Sequence, residues 1–381
     1  MNSQDILNSY EWRELIEMMP VVQEFFGGDE DSHGLNALLG GLDVYIKKML
    51  AQVDAGKPFV WYNLGFNSEL IWALDDVMPL TVEALGALHS CLCNSKITKD
   101  FIDEAQAVGI PADSCSADKL SIGAIRRGLY PKPACTVGIN TPCDAQVLTT
   151  QVMAELGEAP FFAIDVPYYH EDETIHHVAG QLKELIPFLE ENTGRKMDID
   201  KLRESCNLSN QMSENLWEWL DWRKQVPLTQ SSKIVGFTLL MQILFTGSQK
   251  GVDVTNGWLR EARERTQRGE KFFEERVRAV WYQDAVWTDL QMYDWFERDL
   301  GLTVPVDVFG YFANQGLIDT TSMDTMLYGL GRKLIECHPM ARQFRGDVDF
   351  YIGDAMRLYE EFQADCFIFA GHIGCKHAWG G

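Results

Sequence analysis

The chain has 381 residues, 46% of them hydrophobic and 23% charged, the composition of an ordinary folded protein long enough for two or three domains. Acidic side chains outnumber basic ones 56 to 33, for a formal charge of −23, which argues against nucleic acid as a partner because counterion release needs a basic surface. No stretch reaches the roughly 18 apolar residues that span a bilayer, and the opening Met1-Asn-Ser-Gln-Asp5 lacks the basic and apolar regions of a signal peptide; the expectation is a cytoplasmic protein with no membrane partner.

In chain order, residues 1–55 read as an N-terminal helical arm. Tyr10–Phe26 is amphipathic, and Leu35–Val53 carries apolar residues at helical spacing. Gly56-Lys-Pro58 stops that helix, and Phe59–Gly65 reads as a buried strand. An alternating rhythm follows over residues 56–170. Helices are predicted over Ser68–Val77, Thr98–Val108, Lys119–Arg127 and Ala145–Leu156, and strands over Ala134–Ile139 and Phe161–Ile164. Residues 171–275 are almost wholly helical, from Thr174–Leu189 through Leu202–Trp222 to Ser232–Phe245.

Alternation resumes over residues 276–381. Val277–Trp287 is apolar and β-rich, Gln291–Leu300 is helical, and Val304–Phe309 is a strand. Met323–Glu336 and Val348–Phe362 are helices, and Cys366–Ala370 is a final strand. The fold class is therefore α/β: two Rossmann-like (flavodoxin-like) parallel-sheet lobes, with a helical arm before them and a helical segment between them.

Nine cysteines in a chain of this size and compartment are core residues, nucleophiles or metal ligands rather than a disulfide framework. Three share one context. Cys115 sits in Asp113-Ser-Cys-Ser-Ala-Asp118 before a helix, Cys143 in Asn140-Thr-Pro-Cys-Asp144 between a strand and a helix, and Cys375 in Gly371-His-Ile-Gly-Cys-Lys376 after the last strand. Open α/β sheets bind ligands at the carboxyl ends of their strands, and a helix N-terminus favours the thiolate that ligates metal. The competing structural reading is three small hydrophobes packed in turns. Cys135 and Cys366 fall in apolar strands, Cys206 and Cys337 in helices, and Cys91-Leu-Cys93 fits no ligand spacing; all six read as structural.

Absences narrow the chemistry further. There is no CxxC of a zinc ribbon or ferredoxin, no GxxxxGK[ST] phosphate loop, no convincing GxGxxG and no GxSxG elbow. The chain itself is expected to bind neither ATP nor NAD.

Four motifs occur in order: Gly56-Lys-Pro-Phe-Val-Trp-Tyr-Asn-Leu-Gly-Phe-Asn-Ser-Glu-Leu70, Cys115-Ser116, Asn140-Thr-Pro-Cys-Asp144, and Ala364-Asp-Cys-Phe-Ile-Phe-Ala-Gly-His-Ile-Gly-Cys375. Their order and spacing resemble the 2-hydroxyacyl-CoA dehydratase and benzoyl-CoA reductase family over nearly the whole chain. The resemblance implies a 4Fe–4S cluster held by Cys115, Cys143 and Cys375, with one iron open. It implies a heterodimer with a homologous sister subunit, fed by an iron–sulfur ATPase activator, acting on an acyl-CoA substrate. It also implies the chemistry: one electron added to the thioester carbonyl gives a ketyl that expels the neighbouring hydroxide and acidifies the β-position.

Within this picture Glu69 is the candidate for proton transfer near the cluster, set against an exposed first-turn glutamate that helps its helix dipole. His372 is the candidate for orienting substrate or hydrogen-bonding the cluster, set against a satisfied loop histidine. Asn63 and Ser116 are weaker candidates, and His176-His177 reads as solvated surface. Alternative readings are a subunit of an ATP-dependent benzoyl-CoA-type reductase, a non-catalytic electron-relay subunit of the same heterodimer, and a double-cubane cluster reductase. Family members usually continue past the last cysteine motif with another strand and helix, so the second lobe is expected to be C-terminally incomplete at Gly381.

Overall fold

Trp12–Phe26 (α1) and His33–Asp54 (α2) are the two helices of the N-terminal arm, within two residues of the predicted limits. They belong to a computed structural model that describes residues 11–28, 31–92, 95–169, 171–271, 273–283, 285–286, 289–338, 342, 348–375 and 379. Among these, no helix is long and apolar enough to cross a membrane.

The alternating segments build two parallel sheets. The first contains Phe59–Tyr62 (β1), Met78–Thr81 (β2), Cys135–Ile139 (β3) and Phe161–Ile164 (β4), in the order β2-β1-β3-β4. β1, β2 and β3 are buried at every position, as strands covered on both faces must be, and this explains their continuous apolar runs. The connections contain Glu69–Trp72 (α3), Val82–Leu92 (α4), Ser95–Ala107 (α5), Ser116–Arg126 (α6) and Asp144–Leu156 (α7). The second sheet contains Val277–Tyr282 (β5), Leu302–Asp307 (β6) and Cys366–Phe369 (β7), in the order β6-β5-β7. In each sheet the chain leaves the first strand to one side and returns to the other, which opens a crevice between β1 and β3 and another between β5 and β7.

Between the sheets lie Asp172–Thr193 (α8), Ile199–Arg223 (α9), Thr238–Phe245 (α10) and Gln249–Gln267 (α11). The side chain of Asp198 caps α9 by accepting from the backbone amides of Asp200 and Lys201, and Ser248 caps α11 through Gly251. Met292–Trp295 (α12), Met323–Arg332 (α13) and Val348–Glu361 (α14) complete the second lobe.

Three local expectations change. The helix predicted over Ser68–Val77 is only the four residues of α3, and the chain then forms β2, paired with β1 from Phe59↔Met78 to Tyr62↔Thr81. Pro79 hides this strand from the sequence pattern, yet an edge strand tolerates a residue without an N–H. The helix predicted from Ser232 opens as a 3-10 turn, Ser232–Phe237. α12 and α13 end in wider π turns, Phe296–Leu300 and Lys333–Cys337.

The two lobes are joined through buried polar contacts. The Glu69 carboxylate, with 0% of its side chain exposed, meets the Lys333 ammonium at 2.6 Å. Ser209 of α9 donates to the same carboxylate oxygen at 2.8 Å, and Lys333 also donates to the Ser209 hydroxyl. Asn67 Nδ2 donates to Leu330 O at 2.8 Å, Ser68 Oγ to Thr246 O at 3.0 Å and Tyr62 Oη to Ile243 O at 2.7 Å.

Lys333→Met leaves the Glu69 carboxylate unpaired in the interior and is expected to cost about 3–5 kcal/mol, whereas Glu69→Leu combined with Lys333→Met restores most of that loss. Urea and thermal unfolding of parent, single and double variants measure this. A single variant as stable as the parent would show that the pair does not hold the lobes.

Candidate active site

The carboxyl ends of both sheets face one cavity of about 500 Å³, within the range of small-molecule sites of roughly 300–1,000 Å³. Its walls come from the segments that follow β1 (Leu64), β2 (Glu83, Ala84, Ala87), β3 (Pro142, Cys143), β5 (Ala285, Val286), β6 (Phe309) and β7 (Ala370, Gly371, His372, Gly374, Cys375), together with α10. Cys115, Cys143 and Cys375 all line it. The structure therefore brings together, from three separate loops, the three cysteines singled out by local context.

Each loop is set by backbone requirements. Cys115 is the N-cap of α6 and Cys143 the N-cap of α7, the latter after the cis Thr141-Pro142 peptide. Backbone amides of Ala117 and Asp118 face the Cys115 sulfur, and those of Ala145 and Gln146 face the Cys143 sulfur, and both pairs favour the thiolate. Neither pair closes a capping hydrogen bond. Burial outweighs them: it pushes the Cys115 thiol well above its ordinary range and the Cys143 thiol up to about 12, with Asp118 and Cys375 adding negative charge nearby. Gly374 carries the third loop against the first, because a Cβ there would lie 2.5 Å from Ser114 O and 3.2 Å from the Cys115 Cα.

These residues fit a thiolate-bound cluster better than a lone ion. Among the described residues no three His, Cys, Asp or Glu side chains gather closely enough to hold one metal ion. A cubane is a larger object whose cysteines each bind a different iron. Three thiols around one cavity, with helix-terminal amides directed at two of the sulfurs, supply the donor type and electrostatics that such a group requires.

Two carboxyls complete the polar lining, and the sequence reading missed both. Glu83 in the first turn of α4 and Asp118 in the first turn of α6 are 1% and 3% exposed. Among the described residues neither Glu83 oxygen closes a hydrogen bond, nor does Asp118 Oδ2, an arrangement that buried polar atoms adopt where something else is to meet them. Burial, and then the Asp118 charge, pushes the Glu83 carboxyl up to about 8, with the nearby Gln146 and Thr81 side chains opposing. Burial pushes Asp118 up to about 6. Two like charges in one dry site divide into an acid and a conjugate base.

His372 lines the cavity, with Nε2 3.2 Å from Ser116 Oγ; burial and then the Lys119 charge lower its pKa, favouring the neutral ring. Ser116 also lines the cavity. Glu69 does not: it is neither an exposed first-turn glutamate nor a cavity residue, but is buried against Lys333. Asn63 is equally buried and bridges strand ends, donating to Ile139 O at 2.9 Å and accepting from the Ile139 amide at 3.1 Å. His176 and His177 are half or more exposed, as expected. Cys135, Cys206 and Cys337 are buried and Cys366 half-buried, and none of the four lines the cavity. Cys93 and the side chain of Cys91 lie outside the described residues.

Thiol, carboxyl and imidazole groups gather at the facing strand ends of two parallel sheets, the place where open α/β sheets bind their ligands. A model of the family "2-hydroxyglutaryl-CoA dehydratase, D-component" matches residues 63–381, and the chain belongs to that family. It is 23% identical over 253 residues to the (R)-phenyllactyl-CoA dehydratase alpha subunit of Clostridium sporogenes, covering 62% of this chain and 60% of that relative. It is 23% identical over 176 residues to the (R)-2-hydroxyisocaproyl-CoA dehydratase alpha subunit of Clostridioides difficile, covering 44% of this chain and 42% of that one. The matches thus span about three fifths and two fifths of those relatives' lengths.

Gly374→Val is expected to drive the Cys375 loop off the Cys115 loop, raising the alkylation rate of both thiols in metal-free protein several-fold. Gly353→Val, where an added Cβ meets nothing within 4 Å, should leave the rates unchanged. Mass-spectrometric rates at each cysteine decide. Equal rates in parent and Gly374→Val would refute the close packing of these loops.

Proposed function

We propose that the chain is a catalytic subunit of a 2-hydroxyacyl-CoA dehydratase, eliminating water from its thioester substrate after one-electron activation. The observation that carries this reading is one cavity lined by three cysteines and a buried carboxyl pair, in a chain of the dehydratase D-component family. Cys115, Cys143 and Cys375 would hold a 4Fe–4S cluster. Such a cluster supplies one-electron transfer and an open iron acting as Lewis acid on a substrate oxygen.

The chain's own groups handle the protons. Loss of water moves one proton from the β-carbon and delivers one to the departing hydroxyl. Glu83, held protonated at neutral pH by burial and by the Asp118 charge, is the group that carries a proton for the leaving oxygen. Asp118, the more acidic of the two, is the anion that takes one up. The Ser116 hydroxyl fixes the His372 ring at the cavity wall, and apolar side chains of α10 and α4 exclude the water that would quench a radical.

Both relatives are named alpha subunits, and a sister subunit is the natural partner of this chain. With no phosphate loop of its own, the chain depends on an ATP-driven iron–sulfur donor. A tenfold shift in a one-electron equilibrium takes about 59 mV, so binding effects alone do not bridge several hundred millivolts.

Anaerobically purified chain is expected to carry about four irons with matching acid-labile sulfide. Cys115→Ala, Cys143→Ala and Cys375→Ala should each lose them, while Cys206→Ala and Cys337→Ala keep them. Stoichiometric zinc without sulfide, or retention of the cluster by Cys375→Ala, would refute the assignment.

In the assembled system, 2-hydroxyacyl-CoA should become enoyl-CoA only when sister subunit, activator, magnesium ATP and a strong reductant are present without oxygen. Glu83→Gln should then lower the rate roughly 10²–10⁴-fold at unchanged iron content. An unaffected Glu83→Gln rate would make the chain a relay of electrons, and reduction of benzoyl-CoA run in parallel would make it a ring reductase.

A further inference from the structure

A buried polar group beside the cavity has no part in the chemistry proposed above. Gln283 is the first residue after β5, is 1% exposed, and has a φ of 100°, a conformation that residues with a side chain rarely hold. Its neighbours place it at the cavity. The Ala370 amide donates to Tyr282 O at 3.2 Å, and Ala370, Ala285 and Val286 are all wall residues. A strained backbone persists where the surrounding structure over-determines it, and such positions gather at functional sites.

The strain accompanies a contact with α14. Gln283 Nε2 donates to the hydroxyl of Tyr351, which is 2% exposed. The Tyr282 hydroxyl also hydrogen-bonds with that of Tyr351, and the two ring centres lie 4.9 Å apart. Burial first, then the Tyr282 hydroxyl and the charges of Cys375 and Asp307, hold the Tyr351 pKa far above its ordinary range. Asp307 is engaged by the Thr238 hydroxyl at 2.9 Å and by the Gly310 amide. Cys375 stands on the cavity wall. A phenol oxygen accepts through two lone pairs and donates one proton, so with Gln283 and Tyr282 both donating, the Tyr351 proton goes to a third group.

On the cluster reading, which this inference rests on, we infer that Tyr351 donates its hydroxyl proton to the Cys375 sulfur and thereby raises the reduction potential of the bound cluster. Tyr351 acts through a ligand sulfur and Gln283 acts through Tyr351, so both are positioning residues. In the step concerned, the reduced iron–sulfur donor loses one electron and the cluster gains it. Part of the added negative charge falls on the ligand sulfurs. A hydrogen bond strengthens as its acceptor becomes more negative, so this one favours the reduced form. The Tyr351 proton stays on its oxygen throughout.

The test is a mediated redox titration of the cluster-loaded protein without oxygen, followed by electron paramagnetic resonance. At a fixed potential, Tyr351→Phe should lower the ratio of reduced to oxidised cluster about tenfold, which is about 59 mV for one electron. Gln283→Leu leaves the hydroxyl but removes its support, and should lower the ratio about threefold. Tyr359→Phe, on the same helix but directed to Asp365 O, should leave it unchanged. Electron–nuclear double resonance of the reduced cluster in D₂O is the second readout. An exchangeable deuterium coupling of the parent should be missing from Tyr351→Phe.

A ratio that Tyr351→Phe does not lower overturns the inference, as does a deuterium coupling that this variant retains. An equal shift in Tyr359→Phe does so too, because the effect would then not belong to the Tyr351 hydroxyl. Where Tyr351→Phe loses its iron, Gln283→Leu decides on the same scale. A parent without iron and acid-labile sulfide refutes the cluster reading and the inference together. A cluster-bearing parent whose potential the variants do not move refutes the inference alone.

Discussion

A carboxyl group sealed from water costs least where a cation and a hydrogen-bond donor come to it, and Glu69 gathers these two partners from distant parts of the chain. Lys333 arrives from the end of α13 in the second lobe, Ser209 from α9 in the middle, and Glu69 itself from the segment after β1. The widened turn Lys333–Cys337 is where the lysine leaves its helix, and π turns of this kind occur where a helix must redirect a side chain. Backbone carbonyls of Leu330, Thr246 and Ile243 are held by the same neighbourhood through Asn67, Ser68 and Tyr62. These contacts fix the first lobe against the middle helices and the second lobe, with the strand ends of the two sheets facing each other. The cavity is what remains between them.

That arrangement sets the electrostatics of the site. Glu83 and Asp118 sit at the heads of α4 and α6, where helix N-termini favour negative charge, yet burial dominates and raises both. Unsatisfied carboxyl oxygens lower the stability of a folded chain, and native proteins tolerate that cost at sites where a ligand or a proton is to be met. The contrast with Glu69 is instructive. The two glutamates are about equally buried, but one Glu69 oxygen meets Lys333 and Ser209, whereas Glu83 lines the cavity and among the described residues neither of its oxygens closes a hydrogen bond. The engaged one serves the fold, and the unengaged one is available for chemistry.

Much of this was legible in the sequence, and the failures have physical causes. Phe59–Tyr62 reads correctly as a strand because a strand buried at every position is continuously apolar, and Phe161–Ile164 and Cys366–Phe369, part-exposed at the sheet edges, are short apolar runs of the same kind. The three cysteines stood out because loops at strand ends and helix heads have their own composition. β2 did not stand out, because four residues containing Pro79 fall below any periodic signal; with that strand unread, Glu83 immediately beyond it had no context. Asp118 was visible three residues after Cys115 but indistinguishable from an ordinary first-turn acid. Glu69 was placed near the chemistry because its partner lies 264 residues away, and no local pattern reports a contact of that separation.

The distribution of ligands between lobes gives the proposed centre a second consequence. Cys115 and Cys143 belong to the first sheet's loops and Cys375 to the second's. Burial keeps the Cys115 and Cys143 thiols neutral while no metal is bound, since thiolates beside Asp118 would carry uncompensated charge in a dry site. Metal binding at these three cysteines, as proposed, would therefore displace protons and tie the two lobes to one object, adding its free energy to that of the Glu69–Lys333 clasp. The clasp joins the two lobes whose loops carry the three cysteines, and a group bound by all three would join the same lobes a second time, across the cavity.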